Sequence, residues 1–94
     1  MSFCRTTLVE LNLEKLADEA STDYSKNAPS EFPEAEILIF TRTGPTSAIV
    51  ASVYPNENIS KKATASRNAR MDKAAHRRKS AEMHKEEVIL KLVR

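Results

Sequence analysis

The chain has 94 residues, of which 30% are charged and 40% hydrophobic, with one glycine, no tryptophan and a net charge of +2. This length predicts a single domain, residues 1–94, with a small core. The one cysteine excludes a disulfide framework within the chain. No secretory signal and no apolar run of membrane-spanning length is visible, so we expect a soluble cytoplasmic protein without a membrane partner.

The charges are distributed unequally along the chain. Residues 1–55 carry four basic and eight acidic side chains, a net charge of −4, whereas residues 56–94 carry eleven basic and five acidic ones, a net charge of +6. Such asymmetry indicates an anionic partner for the basic half, or self-association through the opposite halves.

The first predicted elements are a strand and an amphipathic helix. Arg5–Leu11 is rich in β-branched and aliphatic residues that alternate as in a strand, and a continuous helix from Thr7 is the alternative. Asn12 can cap a helix whose apolar face comprises Leu13, Leu16, Ala17, Ala20 and Tyr24. The segment Asn27–Pro33 contains two prolines and predicts a loop, from which Phe32 enters the core.

A β-hairpin is the clearest predicted feature. Glu36–Thr43 and Ser47–Tyr54 are apolar runs on either side of Gly44-Pro45, which favours a turn. Within the first run, the two isoleucines fall on one face, and Leu38 and Phe40 fall on the other. Strands that are apolar on both faces are usually covered on both. Since a chain of this size has little with which to cover a second face, we expect a homodimer.

The last third is basic and rich in alanine, a strong helix former. After Pro55, Asn58 or Ser60 can cap a helix predicted to run to about His84, with a thin apolar stripe and most of its length exposed. The final segment, Glu87–Val93, forms either a last strand or an apolar helical piece. The order β-α-β-β-α-(β) predicts a ferredoxin-like, or split βαβ, α+β domain with a central hairpin and a long basic C-terminal helix.

This basic helix provides the functional hypothesis. Between Lys61 and Lys79, only Asp72 opposes eight basic side chains. Lysine and arginine neutralise phosphates, and guanidinium groups bind them bidentately. We therefore expect a nucleic-acid-associated protein that contacts the phosphate backbone of DNA or RNA. The alternative is a regulator or inhibitor that docks the helix on an acidic surface of a larger enzyme. In either case the binding residues would be Lys61, Lys62, Arg67, Arg70, Lys73, Arg77, Arg78 and Lys79.

No catalytic set stands out in the sequence. Cys4 is the only thiol, and the histidines His76 and His84 lie in the basic segment, where a supporting acid is hard to arrange. Their spacing matches no zinc site. A glycine-rich phosphate loop and a nucleophile elbow are both missing. We therefore expect no enzyme activity, no catalytic residue, no metal and no cofactor.

Overall fold

Four strands and three α-helices make up the fold in a computed structural model that describes residues 1–94. In chain order the elements are β1 (Phe3–Leu11), α1 (Glu14–Glu31), β2 (Ile37–Arg42), β3 (Ser47–Tyr54), α2 (Glu57–Lys62), α3 (Thr64–Lys73), a 3₁₀ turn (Ala75–Arg77) and β4 (Arg78–Glu87). The predicted strand at residues 5–11 and the predicted hairpin are both confirmed.

The strands form one antiparallel sheet in the order β2-β3-β1-β4. The register places Thr7 of β1 opposite Val50 of β3, and Val50 opposite Phe40 of β2. The two central strands are therefore β1 and β3, and β2 and β4 are the edges. This topology is the predicted ferredoxin-like α+β fold.

The core lies between one face of the sheet and the helices. Alternate residues of β1 and β3 point to this side, where Leu11, Ala48 and Tyr54 are buried. Helix α1 covers them with Ala17, and the ring of Tyr24 lies 5.2 Å from that of Phe40 between ring centroids. The core also contains Phe32, as predicted, but Leu13 lies outside it as the exposed N-cap residue of α1.

The opposite face of the sheet, which we call the open face, has no helix over it. It presents three large aliphatic side chains, with exposed fractions of 41% for Leu8, 50% for Ile39 and 38% for Ile49. Leu8 and Ile49 are direct partners in the register of β1 and β3. The prediction that the hairpin is apolar on both faces is confirmed.

The predicted loop at residues 27–33 is wrong in its first part, because α1 continues through Pro29 to Glu31. Proline removes one helical hydrogen bond, which a helix tolerates best when other contacts hold the turn. Here the Phe32 amide donates to the Ala28 carbonyl at 2.9 Å, and both residues are buried. Burial of these two side chains therefore outweighs the local cost of the proline.

The long basic helix to about His84 is also wrong. Asn56, rather than Asn58 or Ser60, caps α2 by accepting from the Ile59 amide at 2.9 Å, and the helical segments end at Lys73. From Arg78 the chain is a strand that pairs with β1 along most of its length. The helix propensity of this segment is outweighed, because the central strand β1 needs a neighbouring strand on both sides to satisfy its backbone N–H and C=O groups.

The segment after β4, Val88–Arg94, is neither the strand nor the helix predicted for residues 87–93. It is attached at two points, where the Val88 amide donates to the Ser2 carbonyl at 2.9 Å and Lys91 Nζ lies 2.9 Å from Glu36 Oε2. Its aliphatic side chains are largely exposed. None of the helices combines the length and apolar character that crossing a bilayer requires.

Candidate functional site: an arginine-lined cavity

A cavity of about 100 Å³ lies between the helix-covered face of the sheet and helices α1 and α3. An engineered, enclosed apolar cavity that binds benzene has about 150 Å³, so a ring-sized molecule would fill this smaller cavity and extend through its open side. Most of its wall is apolar, and it includes the side chains of Val9, Leu11, Tyr24, Phe32, Phe40, Val50 and Met71. Five arginines complete the lining, namely Arg5, Arg67, Arg70, Arg77 and Arg78.

Regular periodicity brings these residues together. Alternate positions of β1, starting at Arg5, face the cavity, as expected for a strand. In α3 the lining residues Arg67, Arg70 and Met71 are followed by Ala74, which is the i, i+3, i+4, i+7 spacing of one helical face. A register shift between Glu10 and Leu11 places Arg78 opposite Leu11 and turns it toward the same side.

Two of the five arginines are neutralised by the chain's own carboxylates, and we call Arg70 and Arg77 the paired arginines. Arg70 contacts Asp23 Oδ2 through Nη1 at 3.2 Å and Glu31 Oε2 through Nε at 2.5 Å. Arg77 Nη1 lies 3.0 Å from the same Asp23 oxygen, and its Nε lies 3.8 Å from Glu19 Oε2. All three acids come from α1, so these ion pairs attach the basic segment to the first helix.

Asp23 is the centre of this network. Burial opposes its ionisation, but hydrogen bonds from Asn27 and Arg77 and the charges of Arg70 and Arg77 outweigh that effect, so its pKa lies below the usual 3.8. Asn27 Nδ2 donates to the other carboxylate oxygen at 2.6 Å. Asp23 is therefore a charged structural anchor and a poor general base at neutral pH.

The other three arginines, Arg5, Arg67 and Arg78, have no carboxylate within 4.0 Å, and we call them the unpaired arginines. Arg5 is only 4% exposed; its Nη2 donates to the Ser60 carbonyl at 3.4 Å, and its guanidinium carbon lies 5.6 Å from the centre of the Tyr54 ring.

The remaining two unpaired arginines have equally few partners. Arg67 donates to Asn68 Oδ1 at 3.3 Å, and its Nε is buried without any hydrogen-bond partner. Arg78 donates to the Met71 carbonyl. Arg5 is buried and Arg67 and Arg78 are half-buried, and none has a carboxylate partner, so this side of the cavity holds an excess of positive charge.

The pKa of Arg67 and the pKa of Tyr24 are both shifted by this environment. Burial, and then the nearby charges of Arg5 and Arg78, lower the pKa of Arg67. Burial raises the pKa of Tyr24 to about 12, aided by Tyr54 and partly opposed by Arg70 and Arg5. At neutral pH the Tyr24 phenol is therefore protonated and available as a hydrogen-bond donor rather than a base.

The structure separates the eight predicted binding residues into two groups. Four of them, Arg67, Arg70, Arg77 and Arg78, line the cavity, whereas Lys61, Lys62, Lys73 and Lys79 are exposed and do not line it. They do not form one binding surface. Sequence reasoning missed Arg5, although its position in the β1 alternation, among residues of the buried face, was the available signal.

The residues considered for catalysis lie elsewhere. His76 and His84 are exposed and do not line the cavity, and His84 Nε2 lies 3.3 Å from Glu82 Oε1. Cys4 lies on the open face, with its Sγ 3.6 Å from Thr6 Oγ1. The polar groups that line the cavity are therefore the arginine guanidiniums, the Tyr24 phenol, the Thr7 and Ser52 hydroxyls and the Asp23 carboxylate.

No protein-family model and no curated protein matches the sequence. Solved structures do share the fold. A protein of unknown function from Nitrosomonas europaea superposes with a TM-score of 0.81 at 15% identity, covering 99% of this chain and 94% of that one. A dimeric ferredoxin-like protein from an uncultured marine organism superposes with a TM-score of 0.78 at 8% identity, covering 99% of this chain and 92% of that one. A mutant of SnoaB, a cofactor-independent oxygenase from Streptomyces nogalater, gives 0.77 at 11%, covering 97% and 96%.

These findings correct the functional hypothesis. The prediction of a nucleic-acid-associated protein that uses a basic helix is wrong, because that helix does not exist and the fold is shared with an oxygenase. The alternative, a regulator that docks the same helix on an acidic enzyme, fails for the same structural reason. Half of the proposed contact residues line a partly open cavity, and only the lysines lie on the outer surface. The prediction against enzyme activity gains no support from these neighbours.

Proposed function

We propose that the chain binds a small organic molecule in the arginine-lined cavity. The observation that carries this proposal is a cavity of about 100 Å³ whose wall combines aromatic and aliphatic side chains with several guanidinium groups. Apolar pockets with a few convergent polar groups are the usual form of small-molecule sites. The likeness in fold to a cofactor-independent oxygenase supports the same reading.

Binding can be tested by filling the cavity. Ala20 lines the cavity, whereas Thr22, two residues further along α1, is exposed. We expect ligand-observed NMR with benzoate and benzyl alcohol as probes to show binding to the wild type and to Thr22→Leu. Ala20→Leu should bind neither probe, because the added side chain occupies the space. Equal binding by both variants would refute the cavity as the site.

We further propose that the bound molecule is oxidised by molecular oxygen without a resident cofactor. For a phenol, oxidation of the ring C–H opposite the hydroxyl gives a quinone: one atom of O2 becomes the new carbonyl oxygen, the other leaves as water, and all four electrons come from the substrate. Deprotonation makes such a substrate electron-rich, and the unpaired arginines would stabilise the resulting anion. Tyr24 would add a hydrogen bond to its oxygen.

Oxygen uptake tests this second proposal. With an electron-rich phenol such as 1-naphthol, in the presence of a chelator and without added flavin or haem, the wild type should consume oxygen faster than Ala20→Leu. Thr22→Leu should match the wild type. If uptake does not depend on the protein, across a set of phenolic substrates that bind, the chain is a binding protein and not an oxygenase.

We also propose that the open face joins two copies of the chain into a homodimer. Leu8, Ile39 and Ile49 form a contiguous apolar surface that one copy leaves uncovered, and a structural neighbour of the same fold is dimeric. Sedimentation should show a dimer that Ile49→Asp dissociates and Thr22→Asp leaves intact. A wild-type monomer at high micromolar concentration would refute the dimer.

A further inference from the structure

The unpaired arginines identify the class of molecule that the cavity accepts. Arg5, Arg67 and Arg78 line one cavity, and Arg5 is almost fully buried. No acidic side chain neutralises them. Their hydrogen bonds go only to two backbone carbonyls and one side-chain amide. Like charges grouped in this way, with Arg5 buried and Arg67 and Arg78 half-buried, are unfavourable unless an anion neutralises them.

The same cavity provides its own comparison. On the side of Arg70 and Arg77, α1 supplies three carboxylates, so the chain neutralises these cations internally, although Arg77 Nε, like Arg67 Nε, has no hydrogen-bond partner. On the side of Arg5 and Arg67 it supplies none. Desolvation and the neighbouring cations also disfavour the charged form of Arg67, so these like charges destabilise the folded chain. An anion entering there would remove that repulsion and gain hydrogen bonds.

The hydrogen-bond donors of the unpaired arginines, together with the apolar wall, fit an organic carboxylate better than a small inorganic anion. Arg67 Nε is buried and unpartnered, which leaves a donor for an incoming acceptor. Guanidinium and carboxylate groups are both planar and form parallel hydrogen bonds. The rest of the wall, including Phe40, Val50 and Met71, is apolar and would contact a hydrocarbon body rather than a hydrated ion. The site therefore combines an anion-binding end with an apolar end.

We propose that the ligand is an apolar, ring-sized carboxylate whose carboxylate group is bound by Arg5, Arg67 and Arg78. This inference rests on the proposed binding function and adds its substrate class. The paired arginines would shape the opposite wall without contacting the charge. Binding should be linked to folding, since the anion relieves a repulsion present only in the folded chain.

Three probes and a matched pair of variants test the inference. The probes are benzoate, its neutral analogue benzyl alcohol, and inorganic phosphate, titrated by calorimetry at low salt. We expect benzoate to bind at least about tenfold more tightly than benzyl alcohol, and phosphate to bind weakly. Arg67→Gln should abolish the preference for benzoate while still binding benzyl alcohol. Lys73→Gln removes the same charge from an exposed position of α3 and should leave the preference intact.

Each outcome decides a separate point. Equal affinity for benzoate and benzyl alcohol refutes the carboxylate inference and leaves the binding function standing. Failure of both to bind refutes the binding function itself. Phosphate binding as tight as benzoate binding identifies a site for small inorganic anions and also refutes the inference. As a check on folding, Arg67→Gln should melt at or above the wild-type temperature without ligand, and benzoate should stabilise it less than it stabilises Lys73→Gln.

Discussion

The two sides of the cavity use arginine for two different purposes. Arg70 and Arg77 are held by acids of α1, and they join the basic segment to the acidic first half of the chain. Arg5 and Arg67 face the same space without any acid. An arginine whose counterion comes from the chain stabilises the fold. An arginine that receives no counterion from the chain lowers the stability of the fold and creates a binding site for an anionic ligand.

The strongest test of this comparison removes one arginine from each side of the cavity. Arg70→Met leaves Glu31 without its partner and removes the cation from the Tyr24 ring, so it should lower the free energy of unfolding by about 2 kcal/mol. Arg67→Met removes a repelled charge and should leave stability unchanged or raise it by up to about 1 kcal/mol. Urea unfolding followed by circular dichroism measures both. Equal losses would show that the two sides do not differ.

A smaller effect is expected when the acid is changed. Asp23→Asn removes the charge that both paired arginines contact, and it should cost about 1.5 kcal/mol. The matched control is Asp18→Asn on the same helix, whose carboxylate is 67% exposed and pairs only with Arg42. That change should cost less than about 0.5 kcal/mol, as exposed ion pairs do. Thermal melts of the two variants at one ionic strength make the comparison, and a larger loss for Asp18→Asn would contradict it.

The pH dependence of stability sharpens the role of Asp23 further. Because its pKa is lower in the folded chain than the usual 3.8, its ionisation stabilises the fold above that value. The stabilisation is lost as the pH falls below about 3.8 and through the folded pKa. The stability difference between the wild type and Asp23→Asn should therefore shrink steadily through this acid range. A difference that stays constant would mean that Asp23 does not act through its charge.

The smallest expected effect concerns the aromatic ring beneath Arg5. The Tyr54 hydroxyl is buried without a hydrogen-bond partner, whereas its ring faces the Arg5 guanidinium. Tyr54→Phe keeps the ring and removes the unsatisfied group, so stability should be unchanged or higher by up to about 1 kcal/mol. Tyr54→Leu should lose more, because it removes the ring as well. Chemical denaturation of the two variants distinguishes them.

The sequence predicts the sheet well because its signals are local. The alternation in Arg5–Leu11, the two apolar runs of the hairpin and the Gly44-Pro45 turn each act within a few residues, and their order is enough for the topology. It fails at β4, since alanines and basic residues favour a helix there. Only pairing with the free side of β1, between residues that lie 67 to 84 positions apart in the sequence, makes that segment a strand.

The site is harder to predict than the fold. The α3 spacing of Arg67, Arg70 and Met71 is visible in the sequence, but it looks the same whether that face meets solvent or a cavity. The partner acids Asp23 and Glu31 lie on α1, and nothing local to them indicates which arginines they neutralise. The distinction between paired and unpaired arginines appears only in three dimensions. The basic composition therefore suggested an exposed surface where the chain builds an internal one.

The two edge strands of the sheet also differ in how readily they would pair with a strand of another molecule. The β4 edge is rich in charged side chains, including Lys79, Glu82 and Lys85, which discourage another strand from adding to it, whereas the β2 edge begins with the sequence Ile-Leu-Ile-Phe. An apolar edge whose only charge is at its end, as Arg42 is in β2, is a template for strand addition. Growth into fibrils would therefore begin at β2 and find no complementary β4 to continue on. An exposed β2 edge is therefore tolerated, because the β4 edge does not accept the strand that a growing fibril would need to add.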